Sequence, residues 1–348
     1  MFPETGDSTE AAEGEAAHWA LAEQLHGRLT DVGQIAPNGV VLTGEMCDGA
    51  DRVSDYVARM LQPYGLRPSD GQIEATVQIP RVHPLSWGTP DYRVWLPTTP
   101  ATLFVLDYKF GHRFVDEFEN LQLVEYIAGI TEGRHDMADG GVQIIAAIAQ
   151  PRAFSPKGTI REWRTTLLDL RALINICGGA AHEALGPGPR ARVGAECRDC
   201  RARHACPALQ QAGYAAMDEA KHVTPLIMDA AAMSLELKLA KRAAALLQAR
   251  IGGLEEQALA TLKAGRSVPG WKVEHASGRE VWAKPPGEVI AVAKMLGVDV
   301  QKRIDAITPK QALEAGLHPE VVKSLSKRTT GGASLVEDDG TNARRIFG

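Results

Sequence analysis

Several things are scarce or missing in this chain of 348 residues. No apolar run approaches the ~20 residues that a membrane-spanning helix needs. The opening stretch, MFPETGDSTEAAEGEAAHW, has neither a basic segment nor an apolar one, so no secretory signal is read there. Cysteine is sparse and odd in number. Five residues argue against a disulfide framework and for a reducing, cytoplasmic setting without a membrane. A basic excess is also missing. The 38 Lys and Arg against 43 Asp and Glu give a net charge of −5, so nucleic-acid contact must come from local basic patches or bound cations. No internal repeat is visible. The 45% of hydrophobic residues is ordinary for a globular chain, and the length suits about two domains.

The grammar of the chain changes along its length. Ala11–Leu29 and Thr43–Leu61 carry helical spacing, the second through Met46, Val53, Tyr56, Val57 and Met60. Residues 72–80 and Tyr92–Leu96 alternate as strands do, and Thr102–Lys109 and Gly141–Ala149 are continuous apolar strands. Thr159–Thr165 reads as an edge strand. Helices are predicted over Asp116–Gly133, Leu167–Leu185 and Met228–Ala264, the last with Gly252-Gly253 as a place to kink. After Val268, two short strands and three short helices suggest a small module, followed by a loose tail. The expected fold is α/β, with a mixed sheet flanked by helices. The expected divisions are N-terminal helices over 1–66, a core sheet over 67–166, and a helix with a Cys-rich segment over 167–222. A long helix over 223–264 and a small C-terminal α+β module over 265–348 complete them.

The stretch Gly88–Tyr126 holds the strongest chemical signal. Asp91 follows a Gly-Thr-Pro turn, and the run TLFVLDYK ends in Asp107 and Lys109, which share a strand face. Two charges at the end of a buried strand are costly unless paired or metal-bound. Asp91 and Asp107 offer hard oxygen ligands suited to Mg²⁺ or Mn²⁺, and Lys109 could orient a water or offset charge on a phosphate. The plain alternative is an ion pair of Asp107 with Lys109 or Arg93. Gln122 and Tyr126, four apart, share one face of the following helix. Glu74 reads as a solvated strand residue with some claim to be an extra ligand. His26, His83, His112 and His135 read as surface or loop residues.

The pattern GTPD…LDYK…NLQLVEY resembles the PD-(D/E)xK nuclease superfamily, in particular its RecB-like branch. That branch carries a helical histidine in a G-x-x-x-H context, which EGEAAH supplies here. The resemblance implies a restriction-endonuclease-like core, with His18, Asp91 and Asp107 as ligands of Mg²⁺ or Mn²⁺ and Lys109 as the catalytic lysine. Gln122 and Tyr126 would support the site and touch nucleic acid. The wider chain is similar to an uncharacterised phage- and prophage-associated family with the same opening, cysteine cluster and trailing module.

Cys197-x2-Cys200-x5-Cys206 places three thiols within ten residues, a pattern for zinc or an iron–sulfur cluster. In the AddB-type and CRISPR-adaptation nucleases, which have a similar spacing here, the resemblance implies a 4Fe-4S cluster completed by an upstream cysteine. This chain has none before His18. The expectation is a ligand lying before an internal start or an incomplete site, or else substitution by Cys47 or Cys177. Around the thiols, Arg190, Arg192, Arg198, Arg201, Arg203 and His204 form either a phosphate-contacting patch or a solvated loop. Arg113, Arg198, Arg201 and Arg203 are the expected DNA contacts.

The function expected from these residues is metal-dependent DNA hydrolysis, exonucleolytic, in phage or prophage recombination or replication. A single-strand-binding or annealing protein is the partner suggested by analogy with phage recombination modules. The rival readings are a DNA-binding scaffold without cleavage activity and a metal–thiolate redox or sensing protein.

Overall fold

The structure, a computed structural model, describes residues 9–133, 141–219 and 227–273, with 295 and 344 singly beyond them. The chain divides into two compact units, Met1–Gln257 and Ala258–Gly348. In the second unit the description covers the last turns of the long helix and a bridge between Val268 and Trp271. The strands and helices predicted beyond residue 273 lie outside the described residues, as do His135 and the terminal module's own basic cluster of Lys323, Lys327 and Arg328.

The first unit is α/β. Its main sheet has five strands: β1 (Gln72–Ile73), β4 (Tyr92–Leu96), β5 (Thr102–Tyr108), β6 (Gln143–Ala149) and β7 (Ile160–Thr166), side by side in that order. β5 and β6 are parallel and the other neighbours antiparallel, so the sheet is mixed. A separate ribbon pairs β2 (Val77–Gln78) with β3 (Trp87–Gly88). Parallel β5 and β6 require a crossover, and α3 (Leu121–Ile130) lies within it.

The two sheet faces are covered by different helices. Phe104, Leu106 and Tyr108 of β5 pack with Tyr92, Val94 and Ala147 under α1 (Thr9–Leu25) and α2 (Gly44–Leu61). Leu103 and Val105 pack with Ile144, Ala146 and Ile148 under α3 and α4 (Leu167–Leu185). Strand alternation makes this division, because successive residues leave opposite faces. β5 is buried along its full length, as its uninterrupted apolar sequence demands. α1 approaches closely through Ala16, Ala17 and Ala20, all buried.

Two predicted elements are shorter than their patterns suggested. The strand expected over 72–80 breaks at Glu74, whose φ of 45° is left-handed and whose N–H turns to the Asp91 carbonyl at 3.0 Å. The chain then leaves the sheet to form the β2–β3 ribbon. The helix expected from Asp116 starts at Leu121 instead. Asp116 Oδ1 accepts the Phe118 N–H (3.0 Å), Glu119 turns to φ 50°, and Asn120 caps the helix by accepting from Leu123 N at 3.2 Å. Local side-chain bonds thus outcompete the first helical turn.

The long helix α6 (Ala230–Lys263) runs unbroken through Gly252-Gly253. Gly253 is there for close approach. A Cβ would meet Arg203 Cγ at 2.6 Å and His204 N at 2.8 Å. On this side Leu246 and Ala249 of α6 pack with Leu209 of α5 (Pro207–Glu219) and with half-buried Cys197 and Cys206. Among the described residues, no helix is long and apolar enough to cross a membrane.

Candidate functional site

Five segments meet at one end of β4 and β5. Because Tyr92 pairs with Leu106 in antiparallel register, Asp91 and Asp107 fall opposite each other one step further on. Asp91 Oδ2 accepts the Tyr108 N–H at 2.6 Å, and Oδ1 lies 2.7 Å from His18 Nδ1 on α1. The His18 ring meets Tyr108 edge-on, with centroids 5.3 Å apart. Gly14, one turn before His18, has nothing within 4 Å of a would-be Cβ. Packing does not require that glycine, and it leaves open the helix surface above the histidine.

Lys109 continues the β5 ladder, its N–H donating to Ala149 O at 2.8 Å. Its Nζ lies 2.8 Å from Asp107 Oδ2 and donates to Gln122 Oε1 at 2.8 Å; Gln122 Nε2 in turn donates to the Tyr126 hydroxyl at 2.7 Å. The ion pair offered by the sequence as the plain alternative therefore exists, with Lys109. Arg93 takes no part in it and bonds Gln72 instead. The pair is poorly directed as a hydrogen bond, and buried Asp107 Oδ2 has no well-formed one among the described residues. Gly88 makes room for Tyr126, since a Cβ there would overlap the Tyr126 ring.

Electrostatics set these groups apart from ordinary surface charges. Burial pushes the Asp107 carboxyl up to about 6, with the Asp91 charge adding to it and Lys109 opposing. For His18, burial favours the neutral ring, but the charge and hydrogen bond of Asp91 prevail and its pKa is raised. Glu74 is raised by burial first and by Asp91 second.

Glu74 is the residue the sequence reading undervalued. Ligand atoms of His18, Glu74 and Asp91 lie within 4.8 Å of one another, the one such group of three among the described residues. The left-handed backbone at position 74, unusual for glutamate, turns it beside Asp91. Two carboxylates and an imidazole at this separation fit a small divalent cation with metal–ligand bonds of ~2.1 Å. Asp107, expected as the third ligand, is held by Lys109 and is not in this group. The signal for Glu74 in the sequence was only its place one strand before Asp91.

Sequence reading also missed a buried polar network behind the site. Arg161 on β7 has no exposed side chain, and its Nε reaches Glu117 Oε2 at 3.2 Å. Its Nη2 donates to Val115 O at 2.7 Å and to Gln150 Oε1 at 3.2 Å. Gln150 Nε2 donates to Gly111 O (2.9 Å) and Arg113 O (2.5 Å), and Lys157 adds a second cation to Glu117 at 2.7 Å. This network holds the loop that leaves Lys109 for α3.

The cysteine segment is less complete. Cys200 is exposed, and Cys197 Sγ accepts the Gly194 N–H at 3.5 Å. The three thiols do not form a converged group of ligands within 4.8 Å. Cys47 is buried between α1, α2 and the sheet, and Cys177 on the opposite face, each in a core other than that of the cysteine loop. Burial raises both, Cys177 to about 11, as befits packed thiols. The described residues therefore do not fit a four-thiolate cluster, and neither Cys47 nor Cys177 substitutes for the fourth ligand.

Of the expected DNA contacts, Arg113 is paired with Asp199 at 2.5 Å, and Arg203 is paired with Glu256 of α6. Arg192 is paired with Glu183 at 2.7 Å. Arg198 and Arg201 are exposed. Much of the basic cluster is thus spent on tying the loop down, and Arg250 of α6 adds to this by donating to the His204 carbonyl.

No curated protein matches this sequence. A family model described as "Protein of unknown function (DUF2800)" matches residues 2–341, and the chain belongs to that family.

Proposed function

We propose that this protein is a metal-dependent deoxyribonuclease of the RecB-like type, exonucleolytic, serving phage or prophage recombination or replication. One observation carries the reading. A cation-sized group of His18, Glu74 and Asp91 stands beside a relay from Asp107 through Lys109 and Gln122 to Tyr126. A Mg²⁺ or Mn²⁺ ion held there would polarise a phosphate oxygen and acidify a bound water.

The chain's own residues divide the remaining work. Asp91 is fixed by the Tyr108 N–H and leaves its other oxygen toward His18. Lys109 is the cation available to a phosphate, and Gln122 aims its ammonium group. Tyr126, seated by Gly88, aims Gln122. Asp107 carries a carboxyl raised by burial and holds the Lys109 ammonium group at 2.8 Å. DNA is the proposed partner, with a single-strand-binding or annealing protein beside it. The three loop thiols suit zinc better than a four-cysteine iron–sulfur cluster. Metal analysis after anaerobic purification reads this directly.

The test is hydrolysis of end-labelled single- and double-stranded DNA with Mg²⁺ or Mn²⁺. The wild type is expected to release mononucleotides or short products, and Asp107→Ala to release none. A wild type that binds DNA but cleaves no form of it would refute the enzyme and leave the DNA-binding scaffold.

A further inference from the structure

At the open edge of the sheet, where β1 covers only the first two residues of β4, lies a cavity of about 430 Å³. Leu66, Trp95 and Ile130 supply apolar wall, and Asp70, Gln72 and Arg93 supply polar lining. Its charges do not balance within the protein. Asp70 is engaged by Arg67, through the backbone N–H at 2.8 Å and the guanidinium at 3.4 Å. Arg93 donates from Nη2 to the neutral amide of Gln72 at 2.6 Å. Its Nε is buried, with no hydrogen-bond partner among the described residues. A guanidinium is always charged and offers a planar fork matched to phosphate or carboxylate, so one left beside a neutral amide in a cavity calls for an anion.

The cavity is placed in step with the reaction site. Arg93 pairs with Val105, whose side chain faces α3, and so shares the sheet face of Asp107 and Lys109. It lies two residues beyond Asp91, ~7 Å along a strand. Ile130 lies eight residues beyond Gln122 on the same stripe of α3, ~12 Å along the helix. A nucleotide next to the one being cleaved would reach this far. The volume and the mixture of apolar wall with one cation suit a phosphate attached to a sugar and base.

We infer that the Arg93 cavity is a subsite for a nucleotide phosphate, with the guanidinium as its anchor. The proposed nuclease reading bears only on the source of that phosphate, a neighbouring unit of the bound strand. The experiment therefore reads binding in EDTA, without turnover. A fluorescein-labelled oligothymidylate is titrated by anisotropy across a KCl series, and dTMP and inorganic phosphate by calorimetry, for the full chain. With the strand as source, Arg93→Gln flattens the slope of log K against log salt by ~0.7, the value of one single-strand phosphate contact, and weakens binding roughly tenfold. Arg93→Lys, which keeps the charge, retains the slope. With a free nucleotide as source, the strand slope is unchanged and dTMP binding disappears in Arg93→Gln, which supports the subsite and reassigns its occupant. Folded Arg93→Gln that binds both probes as the wild type does overturns the inference. Should that variant fail to fold by circular dichroism, Ile130→Trp fills the cavity without removing the charge. The same losses are expected of it, and unchanged binding overturns the inference equally. Because cleavage is not read, a wild type inactive on DNA that still shows the Arg93-dependent slope leaves this subsite standing.

Discussion

Substituting Asp107 by asparagine should stabilise the metal-free protein near neutral pH and leave it unchanged in acid. The carboxyl is 4% exposed, and burial raises it to about 6, from ~3.9 in an unfolded chain. A raised carboxyl means that the folded state holds its proton more tightly than the unfolded state. Stability from this group is therefore complete below about pH 4 and is lost as the pH rises through about 6. A difference of about two pK units, at ~1.4 kcal/mol each, gives a penalty of about 3 kcal/mol at neutral pH. Asparagine resembles the protonated acid and escapes it. In EDTA near pH 7.5, urea unfolding of Asp107→Asn should thus show a gain of about 2–3 kcal/mol, shrinking toward zero near pH 4. Mn²⁺ at a hundred times its Kd should stabilise wild type and variant alike by about 2.7 kcal/mol and keep their order, because the grouped ligands are His18, Glu74 and Asp91. A variant no more stable than the wild type in EDTA near neutral pH would show that burial does not dominate Asp107, and the argument for a poised site would fail.

Two further outcomes follow from residues around the site. Glu74→Gln keeps the shape and removes one ligand charge, so calorimetry should show Mn²⁺ binding at least about tenfold weaker with stability nearly unchanged; equal affinity would remove Glu74 from the ligand set. Glu117→Ala strands buried Arg161 and should cost about 3–5 kcal/mol in urea unfolding, whereas Glu117→Leu combined with Arg161→Met should recover most of it, and additive losses would mean that the pair is not coupled.

How much was legible in the sequence depended on the range of the forces involved. β5 declared itself because an apolar run bounded by a turn and charges has few other places to go, and the helix expected over Leu167–Leu185 forms there, with Thr166 and Asp169 capping its start. The meeting of Asp107 with Lys109, and of Gln122 with Tyr126, followed from periods of two and of four. What was not legible came from long-range pairing. Glu117 looked like one more acid in a helical stretch, yet it is buried against Arg161, forty-four positions away. Glu74 looked solvated because its strand alternation continued on paper, while the Asp91 carbonyl bends the backbone out of the strand. The loop arginines looked like a free patch because the sequence does not show that Asp199, Glu183 and Glu256 are their neighbours.

The span between His18 and Asp91 carries a consequence for how the protein is made. The two residues are 73 positions apart, and Gln122 lies further still down the chain. A ribosome adding ~5–20 residues per second exposes α1 seconds before its sheet exists. During that interval the histidine has no carboxylate beside it and the lysine has not yet been synthesised. Hydrolytic capacity of the kind proposed here cannot precede the docking of α1 on the finished sheet. In the proposed reading, the order of synthesis therefore sets the earliest moment at which cutting could begin.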